Sequence, residues 1–120
     1  MGTAKEHKAK ASHNLAFLET ISDQFPDWLE TAVFYVAVQL IEQLLADRGI
    51  HSSDHHRRNT SVRTDFPQIH RSYKALYNAS LVARYDPLSG VLPVADVRNV
   101  LIGRNLMHII SYTASHSKTA

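Results

Sequence analysis

The sequence predicts an all-α fold, a four- to five-helix up-and-down bundle, on three observations. Apolar residues recur at three- and four-residue spacing through runs of more than twenty positions, longer than a strand sustains. Pro26, Pro67 and Pro93 each stand just before such a run. There the fixed φ of proline suits the first helical position and its missing N–H costs no bond. Alternation at period two persists nowhere for long, so no strand is expected.

Five segments follow in order. The first covers about 4–22, with Leu15, Leu18 and Ile21 on one stripe. The second covers about 26–48. Gly49 behind it is placed to close the helix in the left-handed region, with Ile50 supplying a hydrophobic contact. A short third segment covers about 54–64 and is capped by Ser53 or Asp54. The fourth, about 67–85, carries Ile69, Tyr73, Leu76 and Ser80 at helical spacing. Asp86-Pro87 and Ser89-Gly90 mark a loop. The fifth covers about 93–115, with Val97, Leu101, Met107 and Ile110 apolar. At 120 residues the chain is expected to be one domain, 1–120, with loose tails at about 1–5 and 116–120.

The second segment is apolar nearly all round from Ala32 to Ile41, which calls for a central position or a homodimer contact; the Leu106 to Ile110 run adds to the case for a dimer. One narrow stripe is polar. Tyr35, Gln39 and Glu42 share a face, and buried polar groups need partners. They are expected to line a polar seam near the 55–59 segment or the Arg84-Tyr85 end of the fourth helix.

Composition removes several chemistries. With no cysteine there is no disulfide, thiolate zinc site or thiol nucleophile, which suits a cytoplasmic protein. Residues 1–13 are polar and basic rather than a secretory signal. The most apolar stretch, Ala32 to Val38, is short for a bilayer, and its helix carries Glu30, Gln39 and Glu42, so no membrane is expected. No Gly-rich phosphate cradle and no Gly-x-Ser-x-Gly elbow occur. His51 and His55 are four apart with Asp54 and His56 alongside, but a loop intervenes; no metal and no cofactor are expected.

The formal charge of +2 is unevenly placed. Residues 11–47 hold six carboxylates and no Lys or Arg. Residues 48–84 hold Arg48, Arg57, Arg58, Arg63, Arg71, Lys74 and Arg84 against Asp54 and Asp65, with four histidines. A basic half beside an acidic half suits an anionic ligand or association between unlike surfaces. The alternative is scattered solvated charge.

The residues from Trp28 to Pro87 resemble the HEPN superfamily. The second segment reads AVFYVAVQLIEQLLADRG, the next HSSDHHRRN, and the fourth YKALYNASLVARYDP. The family resemblance implies a bundle that is often dimeric, and either a metal-independent endoribonuclease or toxin component, working with RNA or a nucleotide and with a cognate partner such as an antitoxin, or an inert dimerisation or accessory module. Its signature is an Arg, four to six residues, then a His. Arg48 to His55 and Arg63 to His70 meet that spacing, interrupted by Gly49 and Pro67. Arg104-Asn105-Leu106-Met107-His108 has the Arg-Asn start with only three residues between.

Two clusters can carry the chemistry. His55, Arg58 and Asn59 stand at the start of a helix, where free N–H groups favour anions, inside the most basic stretch. They are the preferred catalytic set, with Arg57, Arg58, Arg63 and Arg84 as nucleic-acid contacts. Arg104, Asn105 and His108 are the less favoured set. His would serve as acid or base on a ribose hydroxyl and Arg would hold the phosphate. In both clusters the alternative is a structural role. Tyr73, Tyr77 and Tyr85 could stack bases or line the core.

Overall fold

The computed structural model describes residues 2–86 and 92–118. They form five helices: α1 (Ala4–Leu18), α2 (Pro26–Ala46), α3 (His55–Asp65), α4 (Pro67–Tyr85) and α5. Helix α5 has α-helical ends, Val94–Asp96 and Met107–His116, around a π-helical middle, Val97–Leu106. No strand occurs among the described residues. The expected loop lies, beyond Asp86, outside them.

Local signals explain most of the boundaries. Thr3 and Glu6 form a reciprocal capping box, at 3.1 and 3.0 Å. Helix α1 stops at Leu18, short of the expected 22, where the Thr20 hydroxyl donates to the Phe17 carbonyl at 2.7 Å. Ile21 still packs on the core from the turn that follows. Pro26 and Pro67 sit in the first turns of α2 and α4, whereas Pro93 sits one residue outside α5. Gly49 takes φ 72°, and the N–H groups of Gly49 and Ile50 bond the carbonyls of Ala46 and Leu45, closing α2 as expected. Asp54 caps α3 by accepting from the Arg57 N–H at 2.8 Å. The tails are tied rather than loose over their described parts. Thr3 is the cap of α1, and at the other end the Ser117 hydroxyl and the Lys118 N–H both bond Asp47, at 2.7 and 3.0 Å.

Helix α2 is the hub because its apolar surface has no free side. From Leu29 to Leu45 every residue but Tyr35 and Gln39 is buried, under α1, α4 and α5. One chain therefore covers the surface that suggested a dimer, and Leu106 and Ile109 of the second run are buried as well. By length and composition α2 is long and apolar enough to cross a membrane, which the shorter Ala32 to Val38 run did not suggest. However, most of its apolar length is buried inside the bundle. Glu30 is buried within it, and burial pushes its carboxyl above the usual range, with Asp27 adding to the rise and the Leu92 N–H opposing it.

Helix α5 departs from the expected stripe. Val97, Leu101, Asn105, Ile109 and Thr113 are buried, a repeat of four. An α-helix repeats every 3.6 residues, so that stripe would drift by about 40° per step. The wider π turns absorb the drift. Gly103 permits the closer backbone here, since a Cβ on it would lie 3.2 Å from the Arg98 carbonyl oxygen. The consequence is a corrected face: Leu106 and Ile109 go inward, while Met107 is exposed and Ile110 half-buried.

Candidate functional site

Helix α3 puts its histidines and arginines on two different sides. On the side towards α2, Arg58 Nε donates to Glu42 Oε1 at 2.8 Å, with the two side chains 11% and 8% exposed. The Ser52 hydroxyl donates to the same oxygen. Arg58 Nη1 lies 2.8 Å from His55 Nδ1. A guanidinium only donates, so Nδ1 is the acceptor and the imidazole proton sits on Nε2. Burial, then the charges of Arg58 and Arg84, lowers the His55 pKa against an opposing pull from Asp54. His55 is also packed among rings, 5.7 Å from Phe34 and 5.9 Å from Tyr77. Beside it Tyr73 is buried, which pushes its phenol up to about 12 despite the nearby Arg58.

This geometry limits the preferred trio. Glu42 answers the charge of Arg58, so it is not a free phosphate donor. His55 can donate through Nε2–H, but it cannot take a proton at Nδ1 while Arg58 holds that nitrogen. Asn59 stands apart from the pair, and its Oδ1 is buried with no hydrogen-bond partner among the described residues.

The other side of α3 faces α4 across a cleft of about 300 Å³. His56, Asn59, Thr60 and Arg63, at helical spacing, form one wall. His70, Tyr73, Lys74, Tyr77 and Asn78 form the other. Two fixed cations and two imidazoles therefore meet hydroxyls and amides, and no carboxylate lines the cleft among the described residues. Phe66, 1% exposed, anchors the junction between the helices and sets the angle that brings the walls together. Arg63 and His70, six residues apart across Pro67, thus share one cleft although no single helix joins them.

The remaining candidates disperse. Arg57 is exposed on a shallow depression with His51 and Ser52, and His56 stands between that depression and the cleft. Arg84 bonds the Ser80 carbonyl and the Tyr35 hydroxyl, at 3.2 and 3.3 Å, and lies 5.8 Å from the Tyr35 ring centre. The polar stripe of α2 has partners in both expected places and a third, but it is no single seam. Glu42 meets α3, Tyr35 meets Arg84, and Gln39 bonds His7 Nδ1 of α1 at 2.7 Å. The π turns of α5 separate the other trio. Asn105 is buried, while Arg104 and His108 are exposed. His108 Nδ1 lies 3.1 Å from the buried Ser72 hydroxyl.

Sequence reasoning named His70, Tyr73, Lys74 and Tyr77 separately, left out Asn78, and did not join them into the α4 wall. Its signal is a polar repeat of four, His70, Lys74 and Asn78, beside the apolar stripe of Ile69, Tyr73 and Leu76. No group of three side chains able to hold a metal occurs among the described residues. No protein-family model, curated protein or solved structure matches the chain.

Proposed function

We propose that the chain is an RNA- or nucleotide-associated domain of the HEPN-like, up-and-down kind, with the α3–α4 cleft taking a phosphate and an unpaired base. The observation that carries this reading is the cleft's charge. Arg63 and Lys74 stand with His56 and His70 where no described carboxylate answers them. Cations left unpaired in a concave site attract phosphate, and the Tyr77 ring in the wall offers a stacking face. The spacing of Arg63 and His70 agrees with the family signature. The cleft has room for one nucleotide rather than a duplex.

In its enzymatic form, the reading makes the chain a metal-independent endoribonuclease. One imidazole of the cleft takes the proton of a ribose 2′-hydroxyl as it attacks the adjacent phosphorus. The other protonates the departing 5′-oxygen, and Arg63 or Lys74 answers the charge on the phosphoryl oxygens. The inert accessory reading draws its support from the Glu42–Arg58–His55 cluster, which is committed internally.

The test is fluorescence anisotropy with single-stranded and duplex RNA across a salt series, beside a cleavage assay with chelator present. The expected result is salt-dependent binding that favours single strands. Chelator-resistant cleavage supports the enzyme, and binding without cleavage supports the accessory module. No binding to RNA or mononucleotides at low salt sinks the proposal.

A further inference from the structure

The basic face of α4 does not end with the cleft. His70, Lys74, Tyr77 and Arg84 fall on one face of that helix, so the cleft wall runs on for about 20 Å. At its far end Arg84 meets α2. Its Nη1 donates to the Tyr35 hydroxyl, and its guanidinium lies 5.8 Å from the Tyr35 ring centre. The buried Phe34 ring joins the two ends, 5.6 Å from Tyr77 and 5.9 Å from the Arg84 guanidinium. The path from the cleft to Tyr35 is therefore continuous. Among the described residues no carboxylate pairs with Arg84.

Beyond Tyr35 a groove of about 350 Å³ opens between α1 and α2. Its walls are aromatic and open to solvent: Phe17, Trp28 and Tyr35 are 57%, 61% and 40% exposed. Trp28 and Tyr35 stand two turns apart on α2, about 10 Å. Lys10, Asn14 and Gln39 add a cation and two amides, and no carboxylate lines the groove among the described residues. Three exposed rings gathered in one groove mark a binding surface, unlike apolar side chains scattered singly. The apolar face of another protein would leave Lys10, Arg84 and both amides unanswered. A second copy docked through the same patch would set these cations against themselves. An unpaired nucleic-acid strand answers every feature. Its bases stack on the rings, its phosphates meet Lys10 and Arg84, and base edges reach the amides.

We infer that a single strand of RNA occupies the cleft and the groove together. One nucleotide fills the α3–α4 cleft, the backbone crosses Arg84, and the following bases stack on Tyr35, Trp28 and Phe17. This rests on the proposed binding of RNA in the cleft and adds a second subsite to it. The combined track, about 30 Å long, holds on the order of five nucleotides.

Trp28 is the single tryptophan of the chain, so its emission reports the groove directly. The experiment titrates the full chain with dimeric and octameric oligouridylate at low salt. Anisotropy of labelled oligomer gives affinity, and tryptophan emission gives occupancy of the groove. The octamer is expected to bind about a hundredfold more tightly than the dimer, beyond the gain of under about tenfold from its extra registers, and alone to quench Trp28. Phe17→Ala, at an exposed position, should cut the octamer's advantage by about tenfold. Lys10→Ala should lower the octamer's salt slope by about 0.7. An octamer advantage of under about tenfold, without quenching, overturns the second subsite while the cleft reading survives. Binding of neither oligomer removes both. Quenching that persists undiminished in Arg63→Ala and Lys74→Ala overturns the continuous track. Emission that changes with protein concentration in the absence of RNA overturns the inference by assigning the groove to a second copy.

Discussion

Helix α3 turns His55 and Arg58 towards α2 and turns His56, Asn59 and Arg63 towards α4, and the two sides differ in what answers their charge. On the α2 side Glu42 neutralises Arg58, and Arg58 in turn fixes the tautomer of His55. On the α4 side Arg63 meets Lys74 and His70, which cannot neutralise it. One basic helix therefore has a face used for folding and a face left open to an anion. The residue types alone do not distinguish them, whereas the partner on the next helix does.

The largest expected effect breaks the folding face. Arg58→Ala leaves Glu42 buried without its cation, which should cost about 3 kcal/mol of stability in urea denaturation. Replacing both partners by Arg58→Met and Glu42→Leu should recover most of that loss, because no charge is then stranded. A loss below about 1 kcal/mol for Arg58→Ala would mean that Arg58 belongs with the open face after all.

The open face should respond in the opposite way. Arg63→Ala and Lys74→Ala are surface changes and should move stability by no more than about 0.5 kcal/mol. Each should weaken binding to single-stranded RNA and reduce the salt slope by about 0.7. Anisotropy titrations at several salt concentrations read both quantities. Unchanged slopes in both variants would erase the distinction between the faces.

These two faces also show how far the sequence could be read. Boundaries set by local chemistry were legible: the Asp54 cap, the closure at Gly49 and Ile50, and the span of α4 from Pro67 to Tyr85. The stripe of α5 was not, because a 3.6-residue period continues the Val97–Leu101 stripe to Arg104 and His108, whereas the π turns carry Asn105 and Ile109 inward instead. The spacing of Arg63 and His70 was visible in the sequence. Their convergence depends on the angle at Phe66, a tertiary quantity. Likewise, the shared face of Tyr35, Gln39 and Glu42 was readable, but three neighbouring elements divide that face between them.

A pH series sharpens the folding face further. The folded pKa of His55 lies below its unfolded value of 6.5. Between the two values the unfolded chain binds more protons, so stability is full above 6.5 and declines as pH falls towards the folded pKa. Thermal melts from pH 8 to 5 should show this decline, and His55→Gln should flatten it. A stability that rises on acidification through this range, and does so equally in His55→Gln, would place the controlling group elsewhere.

The smallest expected effect tests the border between the faces. Asn59 lines the cleft, yet its Oδ1 is buried without a partner among the described residues, four positions from His55 and one from Arg58. If the side chain worked inward, with the ion pair, its removal would cost stability as removal of Arg58 does. The geometry argues otherwise, since an unpaired buried acceptor contributes nothing to offset its desolvation. Alanine also forms helix more readily than asparagine. Asn59→Ala should therefore raise stability by about 0.5 kcal/mol, opposite in sign to Arg58→Ala. Urea denaturation of the two single variants and their combination gives the comparison directly. Additive effects keep Asn59 on the open face; a coupling above about 0.5 kcal/mol would assign it to the Glu42–Arg58 cluster.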